Sequence, residues 1–298
     1  MSQTVDSPAA RVSEGAPWDR TAIFQGALLA SLTGLLYFRI ASGLTAQWLH
    51  DANYSHGFLV PLFCAWVIWR RREQLASEPL RPSGTGLIII VGALGELILG
   101  VVGAENFLSR TSLLFLLAGL IIYFCGWRFF RSVLFPWGVL FLMIPLPAIV
   151  FNQIALPLQF EASRLASGML ALVGVPVLRE GNVIQLPSIT LDVAEACSGL
   201  RSLASLITLA VIYGYLIERR IWRRVLLILV AVPIAIVANA VRIMGSGILG
   251  QYWDPDKAEG FFHLFSGWLI FGISCSLVIM FHAAFSWFDR RMHARHSW

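Results

Sequence analysis

Residues 225–249, VLLILVAVPIAIVANAVRIMGSGIL, run for 25 residues with a single charge, Arg242. A helix needs ~20 predominantly apolar residues to cross the hydrocarbon core of a bilayer, so this stretch decides the solvent in which the chain folds. Comparable runs recur on both sides of it, near 21–40, 56–69, 86–103, 111–125, 133–150, 198–217 and 263–286. Together they predict an all-α polytopic membrane protein with about eight transmembrane helices. Composition points the same way: 57% of residues are hydrophobic and 13% are charged, too apolar for an ordinary soluble domain. The polar residues 1–20 are expected to form a disordered cytoplasmic tail rather than a cleavable leader. One transmembrane domain is expected over 21–286, with a basic cytoplasmic tail at 287–298.

The net charge of +5 rests on 21 arginines and one lysine, Lys257. Their placement argues against nucleic acid and for the lipid bilayer as partner. Arg70, Arg71, Arg72 and Arg81 follow the second run, Arg128 and Arg131 the fourth, Arg219, Arg220, Arg223 and Arg224 the sixth, and Arg290, Arg291 and Arg295 the eighth. Positive charge is retained on the cytoplasmic side. Both termini are therefore expected in the cytoplasm, with the odd-to-even connections outside.

Residues 154–178 are apolar enough for a ninth span, but Glu161, Arg164, Pro157 and Pro176 and the parity of the arginine clusters argue for an interfacial helix on the outer face. The alternation that follows, around Gly181-Asn182 and Pro187-Ser188, predicts a short hairpin over the outer helix ends.

Chemistry is expected at that face. Cys197 stands where the hairpin ends and the sixth span begins, and a helix N-terminus favours thiolate; its alternative reading is a small buried hydrophobe. Cys64, Cys125 and Cys275 lie within apolar runs and read as structural, and no spacing suggests a metal site or a disulfide framework. Arg242 lies about seven residues, or roughly 10 Å, below the outer end of its helix, where a charge needs a partner or a wet cavity. Glu96, at similar depth in the third run, is its expected resting partner, so function and structural pairing both stay open. His263 opens the eighth run on the same side, and His56 opens the second; residue spacing leaves both as candidate bases. His50, His282, His293 and His296 fall at run boundaries or in the tail and are weaker candidates. Cysteine, histidine and a fixed cation are the parts of acyl transfer: nucleophile, proton shuttle and oxyanion or carboxylate donor.

The motifs Tyr54-Ser55-His56-Gly57 with Leu59-Val60-Pro61, Glu195-Ala196-Cys197-Ser198-Gly199-Leu200-Arg201, Asn239-Ala240-Val241-Arg242, and then His263 resemble the exosortase family over nearly all of the membrane region. That resemblance implies a multi-pass protein of the bacterial inner membrane, a cysteine peptidase or transpeptidase with its site on the extracytoplasmic side. It implies as substrates exported proteins ending in a Pro-Glu-Pro motif, a transmembrane helix and a basic tail. It assigns catalysis to Cys197, Arg242 and His263. His56, Glu195, Ser198, Arg201, Asn239 and Glu96 are expected as substrate-binding or supporting residues, and the chemistry requires no metal or organic cofactor. Transfer to water and transfer to an amine or hydroxyl acceptor both stay open. Two rival classes remain: a transporter or lipid-linked glycan handling protein in which Arg242 binds an anion and Cys197 is incidental, and a purely structural assembly subunit.

Overall fold

The structure, a computed structural model, describes residues 20–193, 200–252 and 261–295, apart from the side chains at 20–23, 52, 200, 201, 261–266 and 292–295. The expected N-terminal tail lies outside the described residues. Helix α1 spans Arg20–His50, and its part up to Gly43 forms a unit of its own.

The second unit begins at Leu44. A 3-10 turn over Ala52–Phe58, opened by the Asp51 carboxylate accepting from the Asn53 N–H, leads into α2, Leu59–Arg70. After the short α3, Arg72–Ala76, come α4, Thr85–Val102, and α5, Asn106–Cys125, a tightly packed antiparallel pair. The Glu105 carboxylate caps α5 by accepting from the Phe107 and Leu108 N–H groups at 2.8 and 3.1 Å. The pair is close because a side chain on Gly86 would meet the Tyr123 nitrogen at 2.4 Å and the Gly119 carbonyl at 2.6 Å. Small residues at such contacts let backbones approach where lipid supplies no hydrophobic force. Ile88 on the other side of α4 is 73% exposed, apolar side out, as lipid contact requires.

Gly126, at φ +89°, ends α5 in a conformation that favours glycine, and α6 follows as Trp127–Val139 with a 3-10 turn to Met143. The expected fifth span over 133–150 is broken here. Pro145 and Pro147 each disfavour helix in the residue before them, Ile144 is extended, and α7, Ala148–Leu172, leaves at 79°. The segment read as an interfacial helix over 154–178 is thus helical from Ala148 to Leu172 and runs straight through Pro157. The hairpin is present and gains a third strand. Antiparallel β1 (Leu178–Glu180), β2 (Val183–Gln185) and β3 (Thr190–Asp192) pair in that order, with Glu180 opposite Val183 and Val183 opposite Asp192. Helices α8 (Leu200–Ile217), α9 (Ile221–Tyr252) and α10 (Phe261–Arg295) complete the chain, and α10 carries the expected basic tail as helix to Arg295.

The chain is an all-α polytopic membrane protein carrying one small sheet. Among the described residues five helices are long and apolar enough to cross a membrane, or six if the bent α6–α7 pair is one span. The sequence pattern counts eight, and that number is not reached. The difference lies in α2, 12 residues after a 3-10 turn, in the proline break, and in α8, whose apolar part is short.

The four arginine clusters converge on one end of the second unit. The Arg81 N–H donates to the Cys125 carbonyl at 3.1 Å, joining the first cluster to the α5–α6 corner beside Arg128. Arg71 and Arg224 meet on the Tyr215 ring. Arg223 bridges Glu218, at 3.3 Å, and Asp289. His282 Nε2 donates to the Glu218 carboxylate at 2.8 Å, and its Nδ1 lies 2.8 Å from the Tyr213 hydroxyl. This network ties α8, the turn after it and α10 together. Burial alone would raise the Glu218 pKa, but the hydrogen bonds from His282 and Arg223 outweigh it and hold the carboxyl below its usual 4.5. The carboxylate therefore stabilises the fold above that value, and its contribution is lost as pH falls through the lowered pKa. Glu218→Gln should lower the unfolding temperature in detergent at pH 7, with a cost of about 1–3 kcal/mol for the partners left unpaired. The gap from the parent protein should narrow below about pH 4.5, and a gap independent of pH would show that the charge of Glu218 is irrelevant.

Candidate active site

Arg242 lies in the C-terminal half of α9 and is 8% exposed; Asn239, three residues before it, is 5% exposed. Two described elements close around this stretch, and a third leads on from them in sequence. From one side come α7 and the sheet: Ala162, Ala166 and Leu170 of α7, Ile184 and Leu186 of the β2 region, and Val193 just past β3 pack with Ala240 and Ile243. The sheet is fastened by sequence-local chemistry. Gly181, at φ +66°, makes the tight β1–β2 turn, its carbonyl accepts from the Ser163 hydroxyl at 3.0 Å, and the Val193 N–H donates to the Asn182 carbonyl at 3.1 Å. The Ser188 N–H donates to the Gln251 side chain at 3.0 Å, so the β2–β3 turn is tied to the end of α9.

From the other side comes α10. A Cβ on Gly267 would lie 3.7 Å from Arg242 Nη1, in ordinary contact. His263 is one helical turn before Gly267. Its backbone is helical, and its side chain is not among those described.

The third element is the segment carrying Cys197. Glu195, Cys197 and Ser198 lie outside the described residues, as does the side chain of Arg201, whose backbone is in the first turn of α8. Both flanks are described: Val193, 1% exposed and packed beside Arg242's helix, and the start of α8 at Leu200. Four residues from Val193 to Cys197 span at most roughly 14 Å of extended chain.

The supporting residues divide. His56 sits in the 3-10 turn against α8, with Nε2 3.3 Å from the Leu142 carbonyl and Nδ1 3.5 Å from the Ser205 hydroxyl. The neighbouring Gly57 is where Trp48 lies, since a Cβ there would come within 2.4 Å of the indole nitrogen. Much of that motif is therefore packing. Glu96 accepts from the Thr111 hydroxyl at 2.6 Å within the α4–α5 pair, and the expected ion pair with Arg242 is not formed. Cys64 donates to the Pro136 carbonyl at 3.2 Å, a structural contact. Two polar residues escaped the sequence reading, and a third, His282, was placed in it only as a boundary residue. Arg110, 8% exposed, donates to Gln47 at 2.7 Å. Gln159, 9% exposed on the α7 stripe that ends at Leu170, has an Oε1 with no hydrogen-bond partner among the described residues. His282 is a network member rather than a boundary residue. Only Arg110 left a signal, a charge at the foot of an apolar run.

The match to known proteins covers this whole arrangement: the model of the transmembrane exosortases fits residues 48–280, from the end of α1 through most of α10. The chain belongs to the transmembrane exosortase family. No curated protein and no solved structure matches it. As an exosortase it is a multi-pass membrane protein with a general role in handling sorting signals in the membrane.

The Gly267 contact is testable in this exosortase. Gly267→Ala adds only the Cβ, for which there is room, and should keep near-parental stability. Gly267→Leu drives further atoms toward the Arg242 guanidinium and should cost about 1–3 kcal/mol by overpacking. Equal unfolding temperatures for the two variants would mean that α10 does not lie against Arg242.

Proposed function

We propose that this exosortase is a cysteine peptidase or transpeptidase that cleaves the C-terminal sorting signal of exported proteins at the outer membrane interface of the bacterial inner membrane. The observation that carries the reading is the convergence on Arg242. The chain leading to Cys197 packs beside it at Val193, and the helix that carries His263 lies against it at Gly267.

In this reading the substrate's single helix docks among the spans and presents its outer juxtamembrane peptide bond to Cys197. His263 takes the thiol proton, and the thiolate adds to the carbonyl carbon. Arg242 donates to the resulting oxyanion, or holds an acidic substrate side chain. Collapse breaks the C–N bond, the amine leaves with the proton from His263, and an acyl thioester remains on Cys197. Water, or an amine or hydroxyl acceptor, then attacks that thioester and expels the thiolate. Glu195, Ser198, Arg201 and Asn239 would support substrate binding around this centre.

Coexpression with a protein ending in a Pro-Glu-Pro motif, a transmembrane helix and a basic tail provides the assay, with the product C-terminus read by mass spectrometry. Cys197→Ala and His263→Ala should leave intact precursor, whereas replacing Cys64, Cys125 and Cys275 together should not. Arg242→Lys keeps the charge but loses the planar fork, and should slow processing ~10²-fold to 10³-fold, the usual loss for one oxyanion donor. Processing by folded Cys197→Ala would remove the nucleophile and favour the anion-binding transporter reading. The orientation has its own check: cysteines introduced at 250–260 should react with impermeant maleimide from outside and cysteines near Arg219 should not. Reversed labelling would put the site on the cytoplasmic side.

A further inference from the structure

At the end where the arginine clusters meet, the Tyr215 ring in the last turn of α8 is a junction. Phe135 of α6 stacks on it with centroids 4.0 Å apart and planes 9° apart, and Phe63 of α2 meets it edge-on at 5.9 Å. The guanidinium carbons of Arg71, just past α2, and Arg224, in the first turn of α9, lie 5.6 and 5.0 Å from the same centroid. Phe135 covers one face of the ring, and both cations lie within cation–π distance of its centroid.

No carboxylate among the described residues lies within ion-pair distance of Arg71 or Arg224, and Glu218, the nearest acid in sequence to Arg224, gives its carboxylate to Arg223 and His282. Arg224 uses Nε on the Glu218 carbonyl at 2.9 Å, which leaves both terminal nitrogens to donate elsewhere. Two half-buried guanidiniums held on one ring repel each other unless an anion joins them. Their planar forks match the oxygens of a phosphate.

The surroundings fix the source of that anion. Trp66, Trp69, Trp127, Trp222 and Trp287 are all exposed at this end. Arg70, Arg72, Arg223 and Arg291 lie over four of these rings, at 5.2, 4.7, 5.5 and 3.9 Å. Exposed tryptophans at helix ends mark headgroup depth, and basic pockets between helices at that depth take anionic headgroups.

We propose that Arg71 and Arg224, set around Tyr215, form a binding site for the phosphate of an anionic phospholipid. The bound headgroup bridges α2 to the α8–α9 turn and pins the shortest of the apolar helices at the end remote from Arg242. The proposal is independent of the chemistry assigned to Cys197.

The test uses the purified, delipidated full-length protein in neutral detergent, with phosphatidylglycerol, phosphatidylcholine and inorganic phosphate as probes. Retained lipid is read by native mass spectrometry and stabilisation by thermal unfolding. Phosphatidylglycerol should stay bound and raise the unfolding temperature, and phosphatidylcholine and inorganic phosphate should not. The Arg71→Gln/Arg224→Gln pair should need at least about tenfold more phosphatidylglycerol for the same rise. Arg72→Gln/Arg128→Gln, with the same change in net charge at the same end, should behave like the parent. Should the glutamine pair fail to fold, Arg71→Lys/Arg224→Lys keeps the charge and loses the forks, and it should still weaken phosphatidylglycerol binding. Three results would overturn the site: undiminished phosphatidylglycerol binding by the Arg71/Arg224 variants, an equal loss in the control pair, or the full effect from inorganic phosphate alone.

Discussion

A guanidinium inside a membrane-crossing helix is costly, by a few kcal/mol on insertion scales at the bilayer centre, and much of the half of this protein remote from the arginine clusters is arranged around that fact. Arg242 is buried on α9 beside Ala240 and Ile243, and Gly247 and Gly250 follow on the same helix. Those small residues let other elements in: a Cβ on Gly250 would strike Ile189 at 2.2 Å, and one on Gly247 would press Leu186 and Leu170 at 3.2 and 3.4 Å. The approach of α10 is looser, since a Cβ on Gly267 would lie in ordinary contact with Arg242, at 3.7 Å. The protein thus surrounds the charge with its own atoms rather than with lipid. The elements it draws in are the sheet that leads to Cys197 and the helix that carries His263.

The same helix relates the two ends of the molecule. Arg224 and Arg242 are 18 residues apart on α9, or about 27 Å at the helical rise, close to the ~30 Å of a hydrocarbon core. With Arg224 at headgroup level among tryptophans, Arg242 comes near the opposite boundary. Its long side chain can then keep its stem in apolar surroundings and its head toward water. Charge at one end of α9 sets its depth; charge at the other is available for chemistry. The Glu218–His282–Tyr213 network holds α8 and α10 to the first of these ends, so register at the arginine end is carried by rigid helices to the Arg242 end.

Much of this could be read before any coordinates. Long apolar runs and arginine clusters are properties of local sequence, and α4, α5, α9 and α10 fall where the runs place them. The Gly181-Asn182 turn was legible because only a few residue types adopt its backbone. The fifth span was not, because the apolar run is continuous in composition through Ile144-Pro145-Leu146-Pro147 and only the backbone restrictions of two prolines break it. The partner of Glu96 was also hidden: depth in neighbouring runs says nothing about which helices pack together, and α4 pairs with α5 through glycines while Thr111 takes the carboxylate. Gln159 and the His282 network involve residues far apart in sequence whose burial depends on helix rotation, and an apolar run leaves rotation undetermined.

The small sheet bears on the peptidase reading proposed above. Backbone polar groups cannot face hydrocarbon, and an open sheet edge at membrane depth is tolerated only where protein or water covers it. Ile184 and Val193 are fully enclosed against α7 and α9, whereas Arg179 and Glu180 of β1 are exposed. Charged residues on that outer strand require water, so the sheet marks a boundary with protein packing on one side and solvent on the other. The chain passes from Val193, on the packed side, through the segment holding Cys197 into α8. The nucleophile proposed in that segment thus follows closely on a residue packed against α9, beside a sheet whose far strand faces solvent. Acyl transfer from a membrane-anchored substrate needs that combination: a dry, positioned first step at the peptide bond, and an acceptor that arrives from water for the second.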